Sequence, residues 1–252
     1  MDTQTILLLV GAGILGGAAN AMAGGATLIT FPAMMAAGLP PITANASNAA
    51  SVIFGNLMGV ASERKQLPAP DMGWYGDVLV AAIGGAVGGI LLLATPDKFF
   101  QAAVPLLIGV ATIIFAFSKA IQAKVKAWLG GGEGCGLRRA MVFFATIYGG
   151  YFGAGLGVIL MAAISATTAL ELRPANALKN LLSVLANLAA IVWFLLQHAI
   201  SFPETGVMIV GCIAGGLIGG KLLKIIPSAT VKKAVIVIGA LMTVIYAAKY
   251  WM

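Results

Sequence analysis

Charge is scarce in this chain. Asp, Glu, Lys and Arg make up 9% of the residues and apolar types 60%, whereas an ordinary soluble domain is about one-quarter charged. That shortage excludes a soluble globular domain. Acid is the scarcer sign, with 8 carboxylates against 15 Lys and Arg. Asp2, Glu63, Asp71, Asp77, Asp97, Glu133, Glu171 and Glu204 all fall in or beside segments that read as loops. No carboxylate relay through a membrane is therefore expected. His198 is the single histidine, near the end of an apolar stretch, and Cys135 and Cys212 lack any CxxC partner. Neither a metal site nor a disulfide framework follows from so few ligands. HExxH, a nucleotide loop and a paired nucleophile and base are all missing, so the sequence points away from an enzyme and calls for no cofactor. The surplus of Lys and Arg lies between apolar runs, where it orients a membrane protein rather than binding nucleic acid.

What is present in abundance is apolar sequence. Runs of roughly twenty residues recur, enough to cross a hydrocarbon core of about 30 Å. Strand-like alternation is missing, so the expected fold class is an all-α polytopic membrane protein and not a barrel. Six segments read as single helices: about 43–62, 74–94, 99–118, 175–196, 205–222 and 231–248. Residues 6–19 imitate a signal core, and Ala21-Met22-Ala23 imitates a cleavage site. The preceding residues carry Asp2 and no Lys or Arg, and the pattern recurs after residue 140, so retention is expected.

The chain also repeats itself at an offset of 131. Gly84-Gly85-Ala86-Val87-Gly88-Gly89 returns as Gly215-Gly216-Leu217-Ile218-Gly219-Gly220 (215 − 84 = 131), Ala44-Asn45-Ala46 as Ala175-Asn176-Ala177, and Pro96 as Pro227. Duplication in an apolar chain is the signature of a transporter built from two repeats with its site between them. The division expected is 1–118 for the first repeat, 119–138 for a connecting loop and 139–252 for the second. The mid-span glycines are read as helix-packing positions, although an exposed face such as Gly84–Gly89 also permits a homodimer.

Two segments, about 5–38 and 139–170, are too long for one crossing. A straight helix of 34 residues would measure roughly 50 Å. Each is interrupted by small residues, Ala23-Gly24-Gly25-Ala26 and Gly153-Ala154-Gly155-Leu156-Gly157, which let the backbone turn. If each crosses once, loop cations divide 8 to 6. If each returns to the side it entered, Arg64, Lys65, Lys119, Lys124, Lys126, Arg138, Arg139, Arg173, Lys221, Lys224, Lys232 and Lys233 (12) share one side, and Lys98 and Lys249 (2) the other. The positive-inside rule favours the second count. Each repeat is then a glycine-broken hairpin plus three transmembrane helices, an odd number, and the repeats are inverted. The central loop would be cytoplasmic and both termini outside; eight single crossings would put Met252 inside.

Inverted hairpins bring two glycine-rich tips towards the midplane. The helical arm after each tip starts near Thr27 and Val158, and its N-terminus offers unpaired N–H groups and about half a positive charge. Two such ends suit a small anion. Around them the candidate binding residues are Asn20, Gly24, Gly25, Thr27, Asn45 and Asn48 in the first half. Gly153, Gly155, Gly157, Asn176, Lys179 and Asn180 are their counterparts in the second. The amides on the helix after each hairpin recur at near-helical spacing, placing each set on one face. Interhelical hydrogen bonding would account for any single Asn; the sets suggest a lined pathway. Lys179 stands where the first half has Asn48. It can contact substrate, snorkel to the interface or pair with a carboxylate.

The stretch from Gly16 to Gly38, with Ala23-Gly24-Gly25-Ala26 followed by Leu28, Pro32 and Gly38-Leu39-Pro40, resembles the glycine-rich signature of the sulfite exporter TauE/SafE family. Gly149-Gly150-Tyr151-Phe152-Gly153-Ala154-Gly155-Leu156-Gly157, followed by Ala175-Asn176-Ala177, resembles that family's second repeat. The resemblance covers essentially the whole chain. It implies export of sulfite, organosulfonates or related sulfur anions across a bacterial inner membrane, by alternating access around a midplane site. Its partners would be the small anion and the lipid bilayer. The other readings are a permease for a carboxylate or metal cation and a non-transporting membrane scaffold.

Overall fold

The computed structural model describes residues 1–22, 25–68, 72–129, 134–222 and 227–252. Among them are eleven α-helices and no strand: α1 (Thr3–Met22), α2 (Thr27–Ala36), α3 (Pro41–Glu63), α4 (Met72–Ala94), α5 (Asp97–Ala116), α6 (Ser118–Leu129), α7 (Cys135–Tyr151), α8 (Leu156–Thr167), α9 (Leu172–Leu196), α10 (Phe202–Leu222) and α11 (Ser228–Trp251). Prolines mark several starts. Pro41 opens α3, Pro203 is the second residue of α10, and Pro96 and Pro227 immediately precede α5 and α11. Proline suits the first turn because its missing N–H would have no helical partner there.

Five of the described helices are long and apolar enough to cross a membrane: Thr3–Asn20, Gly73–Ala94, Asp97–Ala116, Leu172–Leu196 and Ala229–Trp251. Thr27–Ala36, Leu156–Thr167 and Phe202–Ile218 are shorter apolar helices. Large apolar side chains such as Leu106, Val210 and Val244 stay more than half exposed, as they do where lipid is the solvent. The helices keep the repeat offset: α3 and α9 begin at 41 and 172, and α5 and α11 at 97 and 228, each pair 131 apart. Instead of forming a loop throughout, the connecting segment carries the helix α6. Ala120, Ala123, Ala127, Lys124 and Lys126 are good helix formers, and the absence of Gly and Pro before Gly130 lets them act.

The helices pack as two compact units. The first comprises Met1–Gly55, Leu93–Ala116 and Phe194–Met252; the second comprises Asn56–Leu92 and Phe117–Trp193. Each unit thus draws helices from both sequence halves.

In the first unit α1 packs on α10 through glycine. A Cβ on Gly17 would lie 2.2 Å from the Cys212 carbonyl oxygen, and one on Gly215 2.0 Å from that of Ile14. Gly13 and Gly211 make a similar close approach. On α3, Ser47 Oγ accepts the Ser201 N–H at 3.0 Å, tying the start of α10 to this helix. The Tyr246 hydroxyl donates to the Pro32 carbonyl at 3.3 Å, joining α11 to α2.

The second unit centres on Ala81, Val142, Leu160, Ile164 and Leu182, contributed by α4, α7, α8 and α9. Its glycines also serve close packing: a Cβ on Gly85 would meet the Ala186 carbonyl at 2.1 Å, and one on Gly88 that of Ile147 at 2.1 Å. The Gly84–Gly89 face is therefore buried against α7 and α9 within the second unit, and is not the exposed small-residue face read from the sequence. Asp77, in the second turn of α4, is 1% exposed, with Oδ2 2.6 Å from Arg138 Nε at the start of α7, a partner 61 positions away (138 − 77 = 61) that the sequence did not reveal. The buried hydroxyls of Thr112, Thr146 and Thr167 donate to the carbonyl four residues back.

Candidate functional site

Both broken segments fold back on themselves. A Cβ on Gly16 would fall 3.8 Å from that of Ala26 and 2.4 Å from Thr30 Cγ2. Had the chain continued straight, Gly16 and Thr30 would be separated by about 21 Å at 1.5 Å per residue. In the second unit Phe144 and Ala145 of α7 line one apolar groove with Ile159 and Ala163 of α8. Each segment is a hairpin, as the loop-charge count favours.

Left-handed glycine makes the turns. Gly25 has φ 90°, Gly153 φ 81° and Gly155 φ 82°, values an L side chain rarely adopts. Gly24 lies outside the described residues. Ala26 has φ −48° and ψ −45°, helical values that alanine adopts freely. The second turn is pinned by the Tyr148 hydroxyl, which donates to the Ala154 carbonyl at 2.7 Å. The first is pressed by Phe115 and Val235: a Cβ on Gly25 would lie 3.0 Å from the Phe115 ring. Phe115 is one residue from the end of α5. The first tip thus lies against the C-terminal end of that helix.

Not all the amides at the tips are open. Leu28, Ile29 and Thr30 donate to the carbonyls of Gly25 and Ala26, and Leu156, Val158 and Ile159 to those of Gly153 and Gly155. Positive character at α8 therefore comes from its dipole and from a side chain, more than from open N–H groups. That side chain is Lys179. A Cβ on Gly157, in the first turn of α8, would be 3.7 Å from Lys179 Cδ and 3.9 Å from its Nζ. Gly157 and Lys179, 22 positions apart in sequence (179 − 157 = 22), come together in the second unit.

Asn176 and Asn180 flank Lys179 on α9, and both are committed to one acceptor. Asn176 Nδ2 donates to Glu63 Oε1 at 2.9 Å and Oε2 at 2.8 Å, and Asn180 Nδ2 donates to Oε2 at 3.1 Å. Sequence reasoning missed Glu63 because it ends α3 beside Arg64 and Lys65, where a carboxylate reads as part of a charged loop. The one available signal was spacing: Asn176 and Asn180, four apart, make a two-amide face that suits a carboxylate or another oxyanion.

In the first unit, Thr27 and Asn48 are buried, and the single Thr30 hydroxyl proton has two acceptors within reach, Asn48 Oδ1 at 2.5 Å and the Ala26 carbonyl at 3.0 Å. Asn48 is thus held against the first turn of α2, as Lys179 is against that of α8. Asn45 is buried on the same helix. Asn20 stands over Gly55, where a Cβ would be 2.8 Å from its Nδ2. A further cation lies near this tip: Lys232, counted as a loop charge, is in α11 with Nζ 5.7 Å from the Phe115 ring centroid. Among the described residues no three His, Cys, Asp or Glu side chains converge as a metal ion would require.

Comparisons with known proteins agree with this architecture. A "Probable membrane transporter protein" of Haemophilus influenzae is 26% identical over 253 residues, covering 96% of this chain and 94% of that protein. The "Probable membrane transporter protein YfcA" of Escherichia coli K12 is 23% identical over 234 residues, with 91% and 85% covered. The "Probable membrane transporter protein ORF9" of a Sinorhizobium species is 25% identical over 224 residues, with 83% and 80% covered. No solved structure matches the chain. The family profile described as Sulfite exporter TauE/SafE matches residues 9–246. The chain is a multi-pass membrane protein of transporter type and belongs to the sulfite exporter TauE/SafE family.

Proposed function

We propose that this transporter exports a small sulfur-containing anion, sulfite or an organosulfonate, by alternating access around the hairpin tips. The observation that carries the reading is the Lys179 ammonium beside Gly157 at the N-terminal turn of α8. A cation and a helix dipole at one point favour an oxyanion, and the flanking Asn176 and Asn180 amides supply donors to its oxygens. Gly153 and Gly155 shape the turn; in the first repeat Gly24, Asn45 and Asn48 match Gly155, Asn176 and Lys179 at the 131 offset, and Asn20, Gly25 and Thr27 complete the set. Energetics fit export from a bacterial inner membrane, because an inside-negative potential favours outward anion movement by about 2.3 kcal/mol per charge per 100 mV. The loop-charge count supports a cytoplasmic connecting segment with both termini outside.

The test is uptake into proteoliposomes under an imposed potential, with sulfite, a short organosulfonate, sulfate and a carboxylate offered in parallel. Flux of sulfite or sulfonate that follows the potential and is lost in Lys179→Ala bears the reading out. Flux of none of the four by folded protein refutes it. A second reading, transport of a small carboxylate, is favoured by one observation: Asn176 and Asn180 already hold a carboxylate, that of Glu63. Preference for the carboxylate in the same assay would select it.

A further inference from the structure

The donors of the candidate anion site are occupied by the chain itself. Glu63 reaches from the end of α3 to the α9 face that carries Asn176, Lys179 and Asn180, and accepts from both amides. These three positions are one turn of one helix, so their polar ends converge. A carboxylate is an acceptor only, like the oxygens of a sulfite or sulfonate group. It would satisfy the same donors in the same way.

We propose that Glu63 is a tethered stand-in for the transported anion: it seats on Asn176 and Asn180 beside Lys179 when the site is empty, and an incoming anion must displace it. The proposal rests on the anion-site reading above. Two anions cannot share one small donor set without strong repulsion. Held by the chain, Glu63 competes at a high effective concentration. Apparent affinity is then lowered by the fraction of molecules whose site is open. Weak acceptors fail to displace the carboxylate, so Glu63 selects for strongly accepting anions as well as setting affinity. The resident carboxylate also occupies the donors of two half-buried amides while the site is empty.

Full-length protein in nanodiscs provides the test, with sulfite as the probe. If the carboxylate is seated in nine molecules of ten, Glu63→Ala should bind sulfite about tenfold more tightly than the unaltered protein. Glu63→Gln, which keeps an acceptor but no charge, should fall between. Unchanged or weaker binding in both variants overturns the proposal. A second measurement does not depend on sulfite. With Cys135→Ser and Cys212→Ala, a Gly157→Cys thiol can be labelled by a sulfonate-bearing and by a trimethylammonium-bearing methanethiosulfonate. Position 157 accepts a side chain, because a Cβ there meets only Lys179 at ordinary contact distance. Glu63→Gln should shift the rate ratio several-fold towards the anionic reagent, and an unshifted ratio overturns the proposal. A shifted ratio with no sulfite binding in any variant keeps Glu63 as the resident anion and refutes sulfite as the substrate.

Discussion

Gly155 holds its backbone at φ 82° as the residue before α8, a conformation that costs a residue with a Cβ about 1–2 kcal/mol. Gly157, two positions on, carries no such requirement. Gly155→Ala should therefore lower the thermal midpoint of the detergent-solubilised protein, whereas Gly157→Ala should leave it nearly unchanged. Equal midpoints would mean that the left-handed turn is not needed. Lys179→Ala should abolish potential-driven anion flux without comparable loss of stability, read by flux and thermal unfolding on one preparation. Much of this site was legible at the level of single residues. The glycines marked both turns, and the correspondence of Asn48 with Lys179 marked equivalent positions beside the two tips. Glu63 was not legible, because a carboxylate near Arg64 and Lys65 reads as a local pair. Its real partners lie 113 and 117 positions away.

At the scale of helices, contact is made through missing side chains. Gly85 and Gly88 bring α4 so close to α9 and α7 that a methyl group would overlap a carbonyl oxygen. Gly85→Ala should destabilise by about 1–3 kcal/mol or more, the usual cost of overpacking, measured as a lower unfolding midpoint. The same substitution at Gly216, where a Cβ meets nothing within 4 Å, is the internal control and should be neutral. The Asp77–Arg138 pair fastens the other end of α4 to α7. Arg138→Leu removes the ion pair of a carboxylate that is 1% exposed and should lower the unfolding midpoint, a change of about 3–5 kcal/mol; restoration by Asp77→Leu in the double variant would show that loss of this pair is the cause. The six uninterrupted helices could be read from apolar runs bounded by proline and charge. Which helix each glycine face would meet could not, because a small-residue face is compatible with any close neighbour.

At the scale of the whole chain, the proposed topology of two hairpins, each followed by three crossings, makes each repeat odd. A reporter fused after Met252 should then be active as an external phosphatase and dark as a cytoplasmic fluorophore; the opposite result would require an even number of crossings. The repeat itself was visible in sequence, but the pairing of its parts was not, since an offset records ancestry and not packing. The helices of the first unit come from both ends of the chain, with α1 seated on α10. That pairing has a consequence for biosynthesis. The first hairpin leaves the ribosome about 180 residues before its principal neighbour exists, a wait of roughly 10–40 s at 5–20 residues per second. During that interval the glycine seam of α1 faces lipid, or a chaperone, in place of α10. Neither half of the gene should yield a folded product when expressed alone, whereas the two halves made together as separate chains, cut within residues 130–133, should find each other and restore the intact protein.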